Sequence, residues 1–391
     1  MKSWVLKASV TLLLAGLWAP CVEAGSEIVV SDTQQLRRAL AEATPGTTIR
    51  IAPGTYRGGL GARDLHGTTD QPIVLRAMDP QKPPLFEGGG SGLQLSHVSY
   101  VELHDLAMSG ATGNGLNIDD GGSYETPSHH VTLRGIVVRD VGPDGNRDGI
   151  KLSGLDDFLI ENCIVERWGA GGSGIDMVGC HRGTITGCTL RHENGRGSNG
   201  IQAKGGTSDV TISRCRFEQA GQRGINVGGS TGLAYFRPEP QSYEAKNITV
   251  EDCRFVGSVA PIAFVGVDGA TVRFNTIYRP GKWVFRILQE TRQEDFVPCR
   301  NGRFTDNLIV FDAAALTTPV NIGPGTAPET FTLARNAWYC LDQPQRSRPR
   351  LPIDETDGVY GVEPAFVDTA AGDLRLKPQS ELKNAGVRPQ S

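Results

Sequence analysis

Aromatic residues are scarce in this chain, at 7% of 391 positions, whereas glycine is frequent at 50 residues. So many glycines suit short strands joined by tight turns better than a helical bundle. After Trp18, no run reaches the roughly 18 apolar residues that a membrane helix needs. The formal net charge of -4 argues against a nucleic-acid coat or a basic membrane patch. The composition therefore favours an all-β protein that binds neither nucleic acid nor membrane.

Motifs of several site classes are also missing, because the sequence contains no C-x-x-C pair, P-loop, serine triad or H-E-x-x-H. The cysteines follow a different pattern. Cys163, Cys188, Cys215 and Cys253 occupy the same place in the phrases "ENCIVE", "TGCTLR", "SRCRFE" and "EDCRFV". Equivalent positions of a repeat stack on one another, and free cysteine behaves as a small buried hydrophobe. We therefore predict a core ladder of thiols, without disulfides or zinc.

The first 24 residues are typical of a secretory signal peptide. Lys2 and Lys7 precede an apolar run, and Val22-Glu23-Ala24 forms a small-x-small cleavage site. We expect cleavage after Ala24 and a secreted or periplasmic mature protein. Removing two lysines and one glutamate takes the formal net charge from -4 to -5. Residues 25–391 are then expected to form a single domain.

The middle of the chain repeats. The phrases "NGLNIDD", "DGIKLSG", "SGIDMVG", "NGIQAKG" and "RGINVGG" carry glycines 115, 149, 174, 200 and 224, which are 34, 25, 26 and 24 residues apart. A short apolar-alternating segment follows each phrase, and this period favours a solenoid of parallel strands with one turn per repeat. We predict coils over about 45–340 and a closing turn and tail over about 341–391. An amphipathic helix over 31–43 is expected to cap the N-terminal end.

These phrases, together with the "N-T-I" motif and the closing "FVDTAAGDLRL", resemble the right-handed parallel β-helix proteins of the pectate-lyase-like superfamily. The resemblance covers roughly residues 27–385. It implies a right-handed parallel β-helix, a fold that hosts lyases, hydrolases, epimerases and phage adhesins. Function must therefore be argued from the site.

Side chains on a strand alternate between its two faces, so the isoleucine of each phrase and the residue two positions later should face the core. Two rows of outward side chains follow from this alternation. The first row is Asn117, Lys151, Asp176, Gln202 and Asn226, and the second is Asp119, Ser153, Val178, Lys204 and Gly228. Inserts at 119–130, 191–199 and 229–246 are expected to wall this face. Candidate sugar-binding aromatics are Tyr124, Trp168, Tyr235, Phe236 and Trp283.

This polar face predicts a polysaccharide ligand and, as the first hypothesis, a lyase that cleaves an acidic, uronate-containing chain. Such chemistry requires neutralisation of a carboxylate, a base, and a proton donor for the leaving oxygen. We assign Lys204 as the base, with Lys151, Asp176 and Arg223 as further catalytic candidates. Calcium is the candidate cofactor, because its hard oxygen ligands are available from four aspartates, Asp119, Asp120, Asp148 and Asp176. The predicted substrate-binding residues are Asn117, Gln202, Asn226, Tyr235, Arg237 and Trp283.

The layout is similar to that of calcium-dependent β-helix lyases, in which aspartates on adjoining turns precede a catalytic lysine. The segment "IQAKGGTSDV" also resembles the lysine segment of the chondroitinase-B and alginate-lyase family. That family has glutamates shortly before its lysine and a later Arg-His-Gly segment. This chain has "NGRGSNGIQA" and "INVGGSTG" at those places. The resemblance therefore implies a role for Lys204 more directly than for Arg223.

Two other functions fit the same residues. Asp148 and Asp176 on adjacent turns suit a glycoside hydrolase with paired carboxylates. An exported carbohydrate-binding or adhesion protein would use the same face without any chemistry. The sequence does not predict an oligomeric state.

Overall fold

The structure is a computed structural model that describes residue 1 and residues 25–193, 197–238 and 242–389. The predicted signal peptide, apart from Met1, lies outside the described residues. Within them, three long parallel sheets run the length of the molecule and form a parallel β-helix. One coil passes from Ser173–Val178 to His181–Thr186 and Thr189–Arg191, and the next coil begins at Asn199–Lys204. The predicted solenoid is confirmed.

The ten-stranded sheet carries the polar face predicted above. Its strands are Leu60–Arg63, Leu93–Ser96, Leu116–Asp119, Ile150–Ser153, Ser173–Val178, Asn199–Lys204, Arg223–Gly228, Ala260–Val265, Phe285–Leu288 and Val320–Ile322.

The other two parallel sheets complete each coil. The thirteen-stranded sheet consists of Glu27–Val30, Thr48–Ile51, Ile73–Ala77, Ser99–His104, Ser128–Arg134, Leu155–Glu161, His181–Thr186, Thr207–Ser213, Ala245–Glu251, Val267–Arg273, Arg300–Thr305, Thr332–Ala334 and Glu355–Thr356. The twelve-stranded sheet consists of Thr55–Arg57, Leu85–Glu87, Ala107–Ser109, Val137–Arg139, Ile164–Glu166, Thr189–Arg191, Arg216–Glu218, Arg254–Val256, Thr276–Tyr278, Leu308–Phe311, Ala337–Cys340 and Val359–Tyr360.

A single α-helix, Thr33–Glu42, is present in the part of the chain that the structure describes. It begins at Asp32, whose carboxylate accepts a hydrogen bond of 2.8 Å from the backbone N–H of Gln35, as an N-cap residue does. Leu36, Ala39 and Leu40 are buried and join the apolar core of the first coils. None of the described helices is long and apolar enough to cross a membrane.

The core is a stack of like residues. Cys163, Cys188, Cys215 and Cys253 are free and fully buried, which confirms the predicted thiol ladder. Buried asparagines continue the ladder in later coils, where each side-chain oxygen accepts the backbone N–H of the coil before it. Three such bonds measure 2.9–3.0 Å, from Cys253 to Asn275, from Asn275 to Asn307 and from Asn307 to Asn336. Because each residue contacts its counterpart one coil away, the repeat continues without internal gaps in hydrogen bonding.

The C-terminal segment returns to the outside of the coil. Phe366–Asp368 and Asp373–Leu376 pair as a short antiparallel hairpin. Phe366, Leu374 and Leu382 form a second buried cluster with Leu308 and Val310 of the twelve-stranded sheet. The tail is thereby held against the outer face of that sheet. Three short 3₁₀ turns, Leu233–Tyr235, Pro328–Thr330 and Pro344–Arg346, lie in the connecting segments.

Candidate functional site

The outward rows predicted from alternation match the register of the ten-stranded sheet. Asn117, Lys151, Asp176, Gln202 and Asn226 are direct Cα partners on successive strands. Their inward neighbours, such as Ile150, Ile175 and Ile201, are fully buried. Adjacent strands lie about 4.8 Å apart, so these polar side chains line one continuous floor.

An ion cluster occupies the centre of this floor. Lys151 Nζ contacts the Oδ2 of Asp176 directly and lies 3.7 Å from the Oδ2 of Asp148. Lys204 Nζ lies 3.7 Å from the Oδ1 of Asp176 and 3.3 Å from the Oε1 of Gln202. The two carboxylate side chains are 3% and 1% exposed, whereas the lysine side chains are 18% and 17% exposed. A ligand above the floor therefore meets the ammonium groups first.

Burial and the neighbouring charges shift the pKa values of Asp148 and Lys151 in this cluster. The pKa of Asp148 is raised to about 6, mainly by burial and also by the negative charge of Asp176, while Lys151 opposes the rise. Burial also acts against the charge of Lys151, but the carboxylates of Asp176 and Asp148 outweigh it, so the pKa of Lys151 is raised. Lys151 therefore stays a cation at neutral pH.

Three buried polar atoms of the floor have no hydrogen-bond partner in the described structure, namely Asp176 Oδ1, Asn199 Oδ1 and Asn226 Nδ2. The ion pair of Asp176 with Lys204 is too long at 3.7 Å to be a hydrogen bond. A buried polar atom without a partner costs about 1–3 kcal/mol. Such atoms clustered on one face are typical of a surface that a polar ligand completes.

Residues that the sequence analysis did not select hold Lys204 in place. The carboxylate of Glu244 accepts hydrogen bonds from Gly205 N at 2.9 Å, from Thr231 N at 2.8 Å and from Thr231 Oγ1 at 2.7 Å, which fixes the turn after Lys204. Gly229 lies against both side chains, because a Cβ there would be 2.6 Å from Gln202 Nε2 and 3.3 Å from Lys204 Cδ. The only sequence signal for Glu244 is a carboxylate placed just before a strand at the end of a long insert.

The four predicted calcium ligands lie at two separate places on the ten-stranded sheet. Asp148 precedes its strand, whereas Asp119 is the last residue of its own strand and Asp120 follows it, so roughly 16 Å of strand separates Asp148 from Asp119. Asp120 is buried in an ion pair with Arg237. Asp119 accepts from Asn117 Nδ2 at 2.8 Å and from Gly121 N at 2.8 Å.

Asp148 and Asp176 already share the ammonium of Lys151. Among the described residues, one group of three possible ligands has metal-like spacing. It consists of the side chains of Asp64, His66 and His97, whose ligand atoms lie within 4.8 Å of one another at the N-terminal end of the sheet.

Arg237 serves as a structural link between two inserts. Its guanidinium pairs with Asp120 and lies 4.1 Å above the ring of Tyr124, whose hydroxyl donates to Ala234 O at 2.8 Å. The inserts that contain 119–130 and 229–246 are thus joined into one wall. A cavity of 690 Å³ lies beside this wall, lined in part by His181 and Tyr243. Arg237, predicted to bind substrate, therefore lies in the wall and not on the floor.

Arg223 lies at the opposite end of its strand from the position beside Lys204. Its guanidinium donates to Asn226 Oδ1 at 3.1 Å and pairs with Glu290 at 2.7 Å. Trp283 is half-buried nearby, with Arg286 4.4 Å above its ring. Arg286 belongs to the outward row, two strands beyond Asn226. The floor therefore continues past the ion cluster into an arginine and tryptophan surface.

Not all the predicted aromatic platforms are available to a ligand. Trp168 and Phe236 are 2% and 1% exposed and belong to the packed interior. Their prediction as sugar platforms was wrong, because a lone aromatic in an insert gives no signal that distinguishes packing from binding. Tyr235 is 62% exposed on its 3₁₀ turn, and Tyr124 is 39% exposed. Together with Trp283, these two residues remain the accessible rings.

Comparison with known proteins agrees with this architecture. Residues 91–282 match the family described as the right handed beta helix region. The chain is a right-handed parallel β-helix. The β-helix is similar to an alginate lyase from Paenibacillus sp. str. FPU-7, with 22% identity and a TM-score of 0.54 over 86% of this chain and 98% of that one.

Two further structures show the breadth of the fold. The β-helix is similar to the pectate lyase Pel9A, with 14% identity and a TM-score of 0.60 over 94% of this chain and 93% of that one. It is also similar to a lacto-N-biosidase from Eubacterium ramulus, with 11% identity and a TM-score of 0.54 over 86% and 68% of the two chains. No curated protein matches the chain in sequence. At these identities the likeness shows the fold, and the chemistry has to come from the site.

Proposed function

We propose that this protein is a polysaccharide lyase that cleaves an acidic, uronate-containing polysaccharide by β-elimination on the ten-stranded sheet. The observation that carries the proposal is the pair of outward lysines, Lys151 and Lys204, flanking the buried Asp176. The neighbours that are alginate and pectate lyases support the same class of substrate. The proposal includes export through a signal peptide over 1–24, as expected from the sequence, because acidic polysaccharides lie outside the cell.

Each lysine has a separate role in the proposed reaction. Lys151, kept protonated by Asp176 and Asp148, binds the uronate carboxylate and stabilises the negative charge that develops beside it. Lys204 has one carboxylate oxygen at 3.7 Å and no carboxylate in hydrogen-bond contact, so we assign Lys204 as the base. It removes the proton next to the carboxylate. The bond to the leaving oxygen breaks as the C=C bond forms, and that oxygen takes up the proton from Lys204.

The surrounding polar groups position the sugar in this scheme. Gln202 Oε1 accepts from Lys204 at 3.3 Å and from Asn199 Nδ2 at 3.2 Å, so it orients both side chains. The unpartnered atoms of Asn199 and Asn226 are available to sugar hydroxyls. Trp283 and Tyr235 provide apolar faces for sugar rings at the edges of the floor. Calcium at the four aspartates stays a prediction of the sequence, and no step depends on it.

Ultraviolet absorbance of unsaturated uronate products tests the proposal directly. The mature chain is incubated with pectate, alginate and glycosaminoglycans, with and without EDTA. We expect absorbance to rise on at least one acidic polymer. Lys204→Ala should lower the rate at least 1000-fold, in line with removal of a general base, while binding is retained. Because the calcium ligands do not converge, EDTA should leave the rate unchanged.

Lys246→Ala is the matched control, because this exposed lysine lies on the thirteen-stranded sheet away from the floor. The control should retain the full rate. A flat trace across the panel, or a Lys204→Ala variant as active as the control, contradicts the lyase assignment.

A glycoside hydrolase is the second candidate, and one observation favours it. The pKa of Asp148 is raised to about 6, in the range that suits a general acid, and a second carboxylate, Asp176, lies on the adjacent strand. Both carboxylates are almost completely buried below the lysines, which is why we place this reading second. Release of reducing ends without ultraviolet absorbance would identify it. Binding without either product would identify a non-catalytic carbohydrate-binding protein.

A further inference from the structure

A large cleft on the other side of the coil has a strong positive charge. Its volume is 1420 Å³, and it lies between the twelve-stranded sheet and the C-terminal tail. We call it the basic cleft and define it by its cationic lining residues, Arg214, Arg216, Arg254, Arg375, Lys377, Lys383 and Arg388. The acidic residues of the lining are Asp252 and Asp373. Seven cations therefore face two carboxylates in a chain whose net charge is -4.

Only some of these cations are neutralised by the protein. Arg375 pairs with Asp373, Arg388 pairs with Asp252, and Arg216 pairs with Glu218. The remaining four cations make no salt bridge with any part of the chain that the structure describes; they are Arg214, Arg254, Lys377 and Lys383. Among the described residues, the guanidinium of Arg214 donates only to the hydroxyl of Thr186, at 2.8 Å. The cleft therefore has four cationic side chains that can donate hydrogen bonds to an anionic ligand.

Arg254 is the least compensated of these cations. It is the direct cross-strand partner of Arg216, an arrangement in which like charges repel. Arg216 is held by Glu218 and by Gly372 O at 3.1 Å, whereas the guanidinium of the half-buried Arg254 makes no hydrogen bond within the described residues. Burial lowers the pKa of Arg254, and the charge of Arg216 lowers it further. Both effects favour an anion placed between the two guanidinium groups.

The size and chemistry of the basic cleft select the ligand class. Arginine guanidinium groups bind planar carboxylates and tetrahedral sulfates or phosphates through paired hydrogen bonds. A small-molecule pocket has about 300–1,000 Å³, so a volume of 1420 Å³ suits a chain better than a single ion. The cleft is lined by strands of a different sheet from the one that carries Lys204, so it is separate from the catalytic floor.

We propose that the basic cleft is a second, non-catalytic binding site for an acidic glycan chain, which holds the polymer on a different sheet from the one that carries the lysine pair. The choice of glycan as the source of the anionic groups rests on the proposed function, while the anion chemistry rests on the arginines alone. A polymer bound at both faces dissociates more slowly than one bound at a single face, because release from one site leaves it tethered at the other.

Isothermal titration with short oligogalacturonate and oligoalginate tests the proposal in the full mature chain carrying Lys204→Ala, which does not consume the ligand. Into this background we introduce Arg214→Gln with Arg254→Gln. The matched control is Arg134→Gln with Arg335→Gln, which removes two arginines that pair with Glu161 and Asp306 outside the cleft. A neutral oligosaccharide and inorganic sulfate and phosphate serve as comparison ligands.

We expect two binding events for an acidic oligosaccharide. The cleft variant should weaken one of them about tenfold or more, and the control pair should leave both unchanged. The event at the cleft should also weaken as salt rises, because its charges are solvent-accessible. A cleft variant that binds like the control overturns the proposal. Sulfate or phosphate binding as tightly as the oligosaccharide overturns the glycan assignment and leaves an ion site.

The same titration separates this proposal from the proposed function. If Lys204→Ala retains full lyase activity, the function fails while the cleft event still stands or falls with Arg214 and Arg254. If the cleft variant loses no affinity but the lyase assay succeeds, only the cleft proposal is overturned.

Discussion

At the scale of single residues, the chemistry of the floor depends on which charges are buried. Sequence alternation identifies Lys151, Asp176 and Lys204 as outward side chains, and the register confirms it. Outward does not mean exposed, however, because the lysine stems cover the carboxylates of Asp148 and Asp176. That depth is invisible in the sequence, since it depends on which side chains of adjacent coils lie over one another. The raised pKa of Asp148 follows from this burial.

Asp148 should therefore leave a signature in the pH dependence of stability. Its carboxyl ionises near 3.8 in the unfolded chain and near 6 in the folded one, so the folded state binds more protons between these values. This contribution to the free energy of unfolding is fully present below about pH 4. It falls by about 3 kcal/mol as pH rises to about 6 and stays constant above that.

Asp148→Asn should remove that fall, because the amide does not titrate while its oxygen can still accept the backbone N–H of Ser173, now at 2.8 Å. Urea unfolding from pH 4 to pH 7 measures it, with the exposed Asp144→Asn as the control. Identical pH profiles for Asp148→Asn and the natural chain would show that the carboxyl is not buried as described.

At the scale of elements, the wall beside the floor depends on close approach between an insert and the turns that it crosses. Gly179 has a φ of +59°, and a Cβ there would lie 2.2 Å from Arg237 Cβ. Gly154 faces the same pair, with a virtual Cβ 2.3 Å from Asp120 Oδ2. The Asp120–Arg237 ion pair thus lies over two positions that have to be glycine. The sequence identifies the inserts, but no local pattern predicts which residues join them.

Gly179→Ala tests this packing against Gly145→Ala. Both positions have positive φ, at +59° and +78°, but a Cβ at Gly145 meets nothing within 4 Å. Gly145→Ala should cost about 1 kcal/mol of unfolding free energy through backbone strain alone. Gly179→Ala should cost about 2 kcal/mol more, since Arg237 has to move.

Thermal unfolding of the two variants gives the comparison, and limited proteolysis at 229–238 reports on the wall. Equal melting temperatures and equal cleavage would mean that the wall does not rest on Gly179.

At the scale of the whole molecule, the fold was predictable because every coil repeats the same pattern. Glycine spacings near 25, inward isoleucines and the cysteine ladder each predict the parallel β-helix, and the structure confirms all three. The site was predictable only where it lies on the repeat. Asp148, Lys151, Asp176 and Lys204 come together because the strands are in register. The contacts of Asp120, Arg223 and Arg237 could not be predicted from the repeat. The contacts of Arg223 depend on its position along the strand, and Asp120 and Arg237 contact each other across distant inserts.

The link between the two inserts has a consequence for how the chain folds. Successive coils join residues about 25 positions apart, but Asp120 and Arg237 are 117 positions apart. Closing so long a loop costs more conformational entropy than adding a coil, so the wall should form after the solenoid and open before it. Native-state hydrogen exchange should show the amides of 121–124 and 231–237 exchanging at a lower opening free energy than those of Ile175 and Ile201. Equal protection of both sets would mean that wall and solenoid form one cooperative unit. If the wall opens alone, a long polymer can enter the floor from the side, and it need not be threaded from one end.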